Sequence, residues 1–513
     1  MEDSPNQTNE FNVGQRVHSS GDSTRIGTVK YVGNVEGYPD TWVGIDWDYG
    51  GGKHDGSINN VRYFHAKSEK SGSFVRPKNL CKGISLLQAL EKRYRKEMYV
   101  LSTSNKKVSI ELLGTREIND KLSRFEELTN ASLAYMGVSS PGIPCELSTT
   151  VPNIKELDLS GNLLSEWKDV GFIFEQLPAL KALNLSYNSM SPYKSELPLL
   201  KSIRVLVLNN TGVDWEQVEL LRQSLTTIEE LHIMGNNISR ILPVSSSMVQ
   251  GFDSLRLLNL EDNCIAEWSE IMKLSQLRCL EQLYLNKNCL SSLFYPDNGC
   301  QYYESEVTSC KPFQNLRCLL LGDNNISDLA SVDSLNLFPN LVDIRLSGNP
   351  ITDATKGGVP RFVLIARLAE IQILNGSEIT SRERKDSEIR HVLLKTMFLL
   401  LLSWVADWLV ITWIPLLVNA GHILFSELKN FYGIEDQKPL IGATGGPQAI
   451  SSGFLSITLK CVGASMGEKQ PMTKKLPATT TGSPLPLLLD NDASSLMDHG
   501  VGNDSVILVD EDS

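Results

Sequence analysis

The 513-residue chain has no CxxC pair among its nine cysteines (Cys81, Cys145, Cys264, Cys279, Cys289, Cys300, Cys310, Cys318 and Cys461), an odd and scattered set. That usage excludes a zinc ribbon or a disulfide framework and fits buried free thiols in a reducing compartment. Basic charge is also short: 48 Lys and Arg against 60 Asp and Glu leave a net charge of −12. Duplex affinity comes from basic side chains displacing counterions, so no nucleic-acid partner is expected. Residues 1–10 are polar and acidic, with neither a basic start nor an apolar run, which argues against secretion. There is no GxSxG, no Walker loop and no HExxH, and His18, His54 and His65 fall close together without ligand-like neighbours. A catalytic role, a metal and a cofactor are therefore not expected.

What is present is a repeat. Apolar residues make up 41% of the chain and charged ones 21%, enough to support cores over most of its length. The frame Leu-x-x-Leu-x-Leu-x-x-Asn recurs as Ile154/Leu157/Leu159/Asn162, Leu180/Leu183/Leu185/Asn188 and Ile228/Leu231/Ile233/Asn236. It continues as Leu255/Leu258/Leu260/Asn263, Leu280/Leu283/Leu285/Asn288, Leu316/Leu319/Leu321/Asn324 and Leu341/Ile344/Leu346/Asn349. A further copy, Ile203/Leu206/Leu208, carries Thr211 in place of Asn. The steps run from 23 to 27 residues, with one of 36 that holds an insertion around residues 295–311. This is the leucine-rich-repeat period. Leucines two apart on a short strand point into the coil, and Asn can satisfy turn groups that the next coil buries. Each coil covers only its neighbours, so the ends need caps. Phe125–Leu133 reads as a leading coil and Ile371–Gly376 as the closing one. The outward strand positions Glu156, Asp158, Glu230, His232, Asn259, Glu261, Gln282, Tyr284, Asp343 and Arg345 give a mildly acidic concave face, the usual binding surface of a solenoid. Of eight N-x-S/T sequons several sit in or just beside the repeat frame, and with no signal peptide they are not read as glycosylation sites.

Residues 14–72 contain eleven glycines between short β-type runs. Glycine at this density marks tight turns and places where another backbone approaches, so a small all-β barrel is expected. Its aromatics Trp42, Trp47, Tyr63, Phe64 and Phe74 exceed the needs of so small a core, which points to a groove. The loop Gly50-Gly-Gly-Lys-His-Asp-Gly56 fails as a phosphate loop, because Lys53 is followed by His54 and no helix pattern follows. Exposed amides and Lys53 suit a peptide carboxylate instead, with the aromatics holding an apolar neighbour.

These residues carry a resemblance. Gly14-Gln-Arg-Val, Trp42-Val-Gly-Ile-Asp-Trp-Asp48, Gly52-Lys-His-Asp-Gly56, Arg62-Tyr-Phe64 and Gly72-Ser-Phe-Val-Arg76-Pro resemble a CAP-Gly domain, with His54 where that family has Asn. Together with leucine-rich repeats, the pattern resembles the tubulin-folding cofactor E family. The resemblance implies binding of the acidic α-tubulin tail through Trp42, Trp47, Gly52, Lys53, His54, Asp55, Gly56, Phe74 and Arg76. It also implies other tubulin-folding cofactors as partners, a cytoplasmic, cytoskeleton-associated setting, and a C-terminal ubiquitin-like domain.

The expected architecture is multidomain: a CAP-Gly barrel at 11–80, a helical linker at 81–121, an α/β leucine-rich-repeat solenoid with caps at 122–390, and a partial ubiquitin-like β-grasp at 451–513 after a linker at 425–450. Ser451–Lys460 and Asp504–Asp510 read as the first and last β-grasp strands. The Pro- and Thr-rich stretch between them shows no helix pattern, so this module is expected to be truncated and partly disordered. The apolar block at 391–424 departs from the family, which has a charged linker there. Met397–Val418 has the length of a membrane span, but Asp407 at its centre costs roughly 3 kcal/mol on insertion scales and Pro415 breaks its second half. It is read as the product of an atypical transcript rather than as an anchor, and membrane association depends wholly on its being genuine. The expected function is a non-enzymatic chaperone that captures α-tubulin and assists assembly, or in reverse dissociation, of the α/β heterodimer. The alternatives are a microtubule-associated CAP-Gly adaptor, for which coiled coils and basic flanks are missing, and a membrane-tethered repeat adaptor.

Overall fold

The computed structural model describes residues 11–94, 100–103, 106–109, 124–192, 200–243, 247–296, 311–406, 457–462 and 505–510. They belong to two units, one before residue 436 and one from there on.

The first unit opens with a five-stranded antiparallel sheet in the order Gly72–Val75, Tyr38–Trp47, Asp22–Val35, Arg16–Ser19, Leu80–Cys81. Side chains alternate across a strand. Val43, Ile45 and Trp47 therefore point inward and pack with Phe11, Val17, Val29 and Leu80. Trp42, Gly44 and Asp46 take the other face. The pairing slips between Val29, which opposes Ile45, and Tyr31, which opposes Gly44. Lys30 is the extra residue of this bulge, and it turns Tyr31 onto the Gly44 face.

The repeats wind as expected. Three-residue strands from Asn130–Ser132 to Asp343–Arg345 pair in parallel, Ile373–Leu374 extends the row, and Ser377–Glu378 closes it antiparallel. Their middle residues, Leu157 through Ile344, are buried in one continuous core. The conserved geometry of each turn has a simple chemistry. Asn263 Nδ2 donates to the carbonyls of Ile233 (3.1 Å) and Leu260 (3.0 Å), while its Oδ1 accepts from the amides of Asn236 and Ile238 (3.0 Å each). Asn162, Asn236, Asn288, Asn324 and Asn349 repeat the arrangement with their own neighbours. The residue just before each rung is left-handed: Gly161, Tyr187, Asn210, Gly235, Asp262, Lys287, Asp323 and Gly348 all have φ between 52° and 77°. On the convex side Trp167, Trp215 and Trp268 each begin a short helix and are buried.

Within the stretch expected as a helical linker, 81–121, the described residues hold the helix Leu86–Tyr94 and an antiparallel hairpin in which Val100–Thr103 pairs with Lys106–Ser109; 95–99, 104–105 and 110–121 lie outside the described residues. The helix is not a mere spacer, since Leu86, Ala89 and Leu90, spaced i, i+3, i+4, are fully buried in the solenoid core. The solenoid is thus capped from residue 84 onward. At its far end Arg361–Arg367 packs on the long helix Ser381–Ala406. Arg384 reaches back to the carbonyls of Ile365 (3.2 Å), Leu368 (3.0 Å) and Ile371, groups that a helix end leaves without partners. Of the described cysteines all six are free, but Cys145, Cys264, Cys279 and Cys289 are exposed rather than buried.

Most of the 295–311 insertion, with Cys300, Tyr302, Tyr303 and Cys310, lies outside the described residues, as do 407–424 of the apolar block. Among the described residues no helix is long and apolar enough to cross a membrane. In the second unit Ile457–Val462 and Ser505–Asp510 pair in parallel, six residues each; the Pro- and Thr-rich stretch between them, expected to lack the helix, is outside the described residues.

Candidate peptide groove and solenoid face

The outer face of the barrel sheet carries an aromatic cluster. Phe74 is its centre, with ring centroids of His54 at 5.1 Å, Tyr63 and Phe64 at 5.4 Å each, and Tyr31 at 6.0 Å. Gly44 makes room for it, because a Cβ there would lie 2.5 Å from the Phe64 ring. Farther along, Arg76 lies over the Trp42 ring at 3.8 Å and donates to the Pro39 carbonyl at 2.7 Å. Tyr38 stands edge-on to Trp42 at 6.0 Å.

Trp47 does not belong to this face. It is 2% exposed, an inward residue of the barrel core, and its remaining face is covered by Arg25 at 4.4 Å. The expected groove residue is therefore a core residue, for the plain reason that five positions along a strand reverse the side. Tyr31 and Tyr38 take its place in the aromatic wall. Tyr31 could not be assigned by alternation, since counting from the buried Val29 puts it inside; only the bulge at Lys30 brings it out.

The loop also works differently from the expectation of exposed amides. Gly52 N–H donates to Lys70 O (2.7 Å), Lys53 and His54 N–H to Gly72 O (2.7 and 3.1 Å), and Gly56 N–H to His54 Nδ1 (3.1 Å). These four amides of the loop are already engaged, so side chains take the larger share of anion recognition. The glycines serve close approach instead: a Cβ on Gly52 would sit 2.4 Å from the Ser71 backbone, and one on Gly56 2.1 Å from Phe64 O. Asp55 pairs with Arg62 at 2.7 Å and accepts from Ser57 N–H at 3.1 Å, which together hold its carboxyl below the usual range. It shapes the loop.

Two groups remain for a ligand. Lys53 is exposed and has no ion-pair partner among the described residues. His54 accepts at Nδ1 from Gly56, so its proton resides on Nε2. Burial lowers its pKa, outweighing the opposing Asp55 carboxylate with some help from Lys53, which keeps the ring neutral near pH 7. A cation and a neutral N–H donor thus flank an aromatic wall, a combination suited to a carboxylate next to an apolar side chain.

Along the solenoid, Glu156, Asp158, Glu230, His232, Gln282, Tyr284, Asp343 and Arg345 stand on the strands as expected. Glu261 lies two residues beyond its strand, where Asn286 Nδ2 donates to it. Glu156 accepts from Asn130 (2.6 Å), Asp158 from Ser132 (3.0 Å), and His232 Nε2 is 3.6 Å from Glu230. A hollow of about 410 Å³ under Tyr94 opens onto Glu156, Asp158 and Asn184. The face is not uniformly polar: Ala182, Val205, Val207, Leu257 and Leu320 are interspersed among the polar residues, with Glu230 between Val205 and Leu257. Burial, with the Asp343 carboxylate beside it, pushes the Cys318 thiol up to about 12. Among the described residues no group of three or more His, Cys, Asp and Glu is arranged to hold a metal ion.

A glycine-clipped loop beside an aromatic sheet face, followed along the chain by a leucine-rich solenoid, places the protein in the CAP-Gly class. The CAP-Gly domain family matches residues 13–80. Over 98% of its length the chain is 55% identical to the tubulin-folding cofactor E of Arabidopsis thaliana, covering 98% of that protein. It is 32% identical to the tubulin-specific chaperone E of Danio rerio, over 91% of this chain and 87% of that one. The Homo sapiens counterpart is 33% identical over 74% of this chain and 71% of its own length. The chain belongs to the tubulin-folding cofactor E family.

Proposed function

We propose that the chain is a tubulin-folding chaperone that holds α-tubulin at two places, the acidic tail in the barrel groove and the body along the solenoid. With other tubulin-folding cofactors it assists pairing of α- with β-tubulin, and the same grip used in reverse separates a heterodimer. The observation that supports this most directly is the exposed Lys53 beside the neutral His54 donor and the Phe74 cluster. A free carboxylate would accept from both groups while the preceding or terminal aromatic packs on the wall. The chemistry needs no cofactor and no bond making. It takes place in the cytoplasm, where the client is made.

Hydrogen bonds to a charged group contribute about 1.5–3 kcal/mol. Lys53→Ala should accordingly weaken binding of an α-tubulin tail peptide by roughly tenfold or more, measured by calorimetry or fluorescence anisotropy. Unchanged affinity would contradict the assignment. The wider function is tested by mixing the chain with α/β-tubulin and resolving the products by native size separation. A complex holding α- without β-tubulin is the expected result. Co-sedimentation with intact microtubules, dimers undisturbed, would establish the adaptor instead.

A further inference from the structure

Barrel and solenoid touch at two separate places. The first is the junction. Only Lys82 and Gly83 separate the barrel strand Leu80–Cys81 from Ile84–Ser85, which pairs in parallel with Val138–Ser140. Ile84 N–H donates to Gly137 O at 2.8 Å, and a Cβ on Gly137 would lie 2.7 Å from His18 Nε2 of the barrel. The second place is at Tyr49, directly before the Gly50–Gly56 loop. The Tyr49 ring meets Tyr187 edge-on at 6.2 Å and 64°. Tyr187 is the left-handed residue before the rung Asn188, with φ 62°. Tyr135 lies across the intervening turn, where a Cβ on Gly161 would be 2.1 Å from its ring. Tyr135 and Tyr187 thus flank the Gly161 turn from the coils on either side of it, and Tyr49 rests against Tyr187. Tyr49 is 65% exposed, so the barrel core does not require it.

The tyrosine contact adjoins both surfaces described above. Tyr49 is four residues before Lys53, and Tyr187 three residues after Asn184 of the concave row. We propose that groove and solenoid face form one composite receptor, held at fixed separation by the Tyr49–Tyr187 contact and the Ile84–Val138 pairing. Its partner is a single protein whose free acidic C-terminal tail emerges beside a basic surface. Charge complementarity sets this chemistry: the tail meets Lys53, and the basic surface meets Glu156, Asp158 and Glu230. Once the tail is engaged, binding of the body is intramolecular, and its effective concentration is greatest when the spacing is fixed to match. This inference rests on the tail-binding reading.

The full-length chain and the variants Tyr49→Ala, Tyr187→Ala and the double variant test it against a tail peptide and against α/β-tubulin. Tail-peptide affinity should be the same in all four. Affinity for tubulin should fall roughly tenfold in either single variant and no further in the double one, because either substitution already breaks the contact. Tyr49→Phe, which keeps the ring, should behave as the parent chain. Losses that add in the double variant would mean that each tyrosine touches the partner itself, and would overturn the proposal. Unchanged tubulin affinity, or a tail affinity that falls with Tyr49→Ala, would do the same. Failure of the unsubstituted chain to bind the tail peptide would overturn the tail reading and this inference with it, and is recognised because it needs no substitution.

Discussion

Trp42 and Trp47 show how much one residue's environment decides. They share a strand, but the odd spacing sends one under Arg76 on the groove face and the other into the core. Trp47→Ala should cost about 3–5 kcal/mol, as large-to-small core changes do, and lower the urea midpoint of the chain. Trp42→Ala should leave that midpoint nearly in place and weaken the tail peptide. The parity of Val43, Ile45 and Trp47 already carried this distinction in the sequence; Tyr31 did not, since a bulge is a local break in parity that no composition reveals. His54 makes a prediction of another kind. Its folded pKa lies below the ordinary 6.5 because of burial. Unfolding therefore takes up a proton as the pH drops through 6.5, so the stability His54 contributes is whole above that value and declines below it. His54→Asn should flatten the corresponding part of the pH dependence of the melting temperature between pH 7.5 and 5.5.

At the scale of the element, the repeat was legible because Leu and Asn recur at positions that a strand and turn must fill. The rung chemistry explains the one irregular copy. Leu159 and Leu260 carbonyls each receive two Asn side chains, their own and the next coil's, whereas the Leu185 carbonyl receives only Asn188 because Thr211 is too short to reach it. Thr211→Asn should restore that bond and stabilise the chain by about 1 kcal/mol, the net value of one hydrogen bond, read as a raised urea midpoint. Asn263→Ala should act in the opposite direction and cost about 3 kcal/mol or more, since four buried backbone groups lose a partner at once. The helix Leu86–Tyr94 was legible as a helix from its i, i+3, i+4 spacing. Its role as a cap was not, because a buried face does not name the surface it covers.

Across the whole molecule, the sequence was most informative where a motif is local and repeated, and least where distant segments meet. The barrel loop, the coils and the closing strand could be numbered in advance; the junction at Gly83 and Gly137, and the tyrosine contact, could not, because they join residues more than fifty positions apart. A chain ending at Ala406 retains the barrel, the coils and both caps, and should bind the tail peptide as the longer chain does. The left-handed residues before the rungs have a consequence for the whole solenoid as well. An L-residue in this conformation is disfavoured by roughly 1–2 kcal/mol, yet Tyr187, Asp262, Lys287 and Asp323 all adopt it. They lie in register, so conformational tension is gathered along a single seam rather than scattered. Glycine at Lys287 or Asp262 adopts the same conformation without that penalty, so the seam can be relaxed coil by coil and the tension along the spiral tuned from one edge.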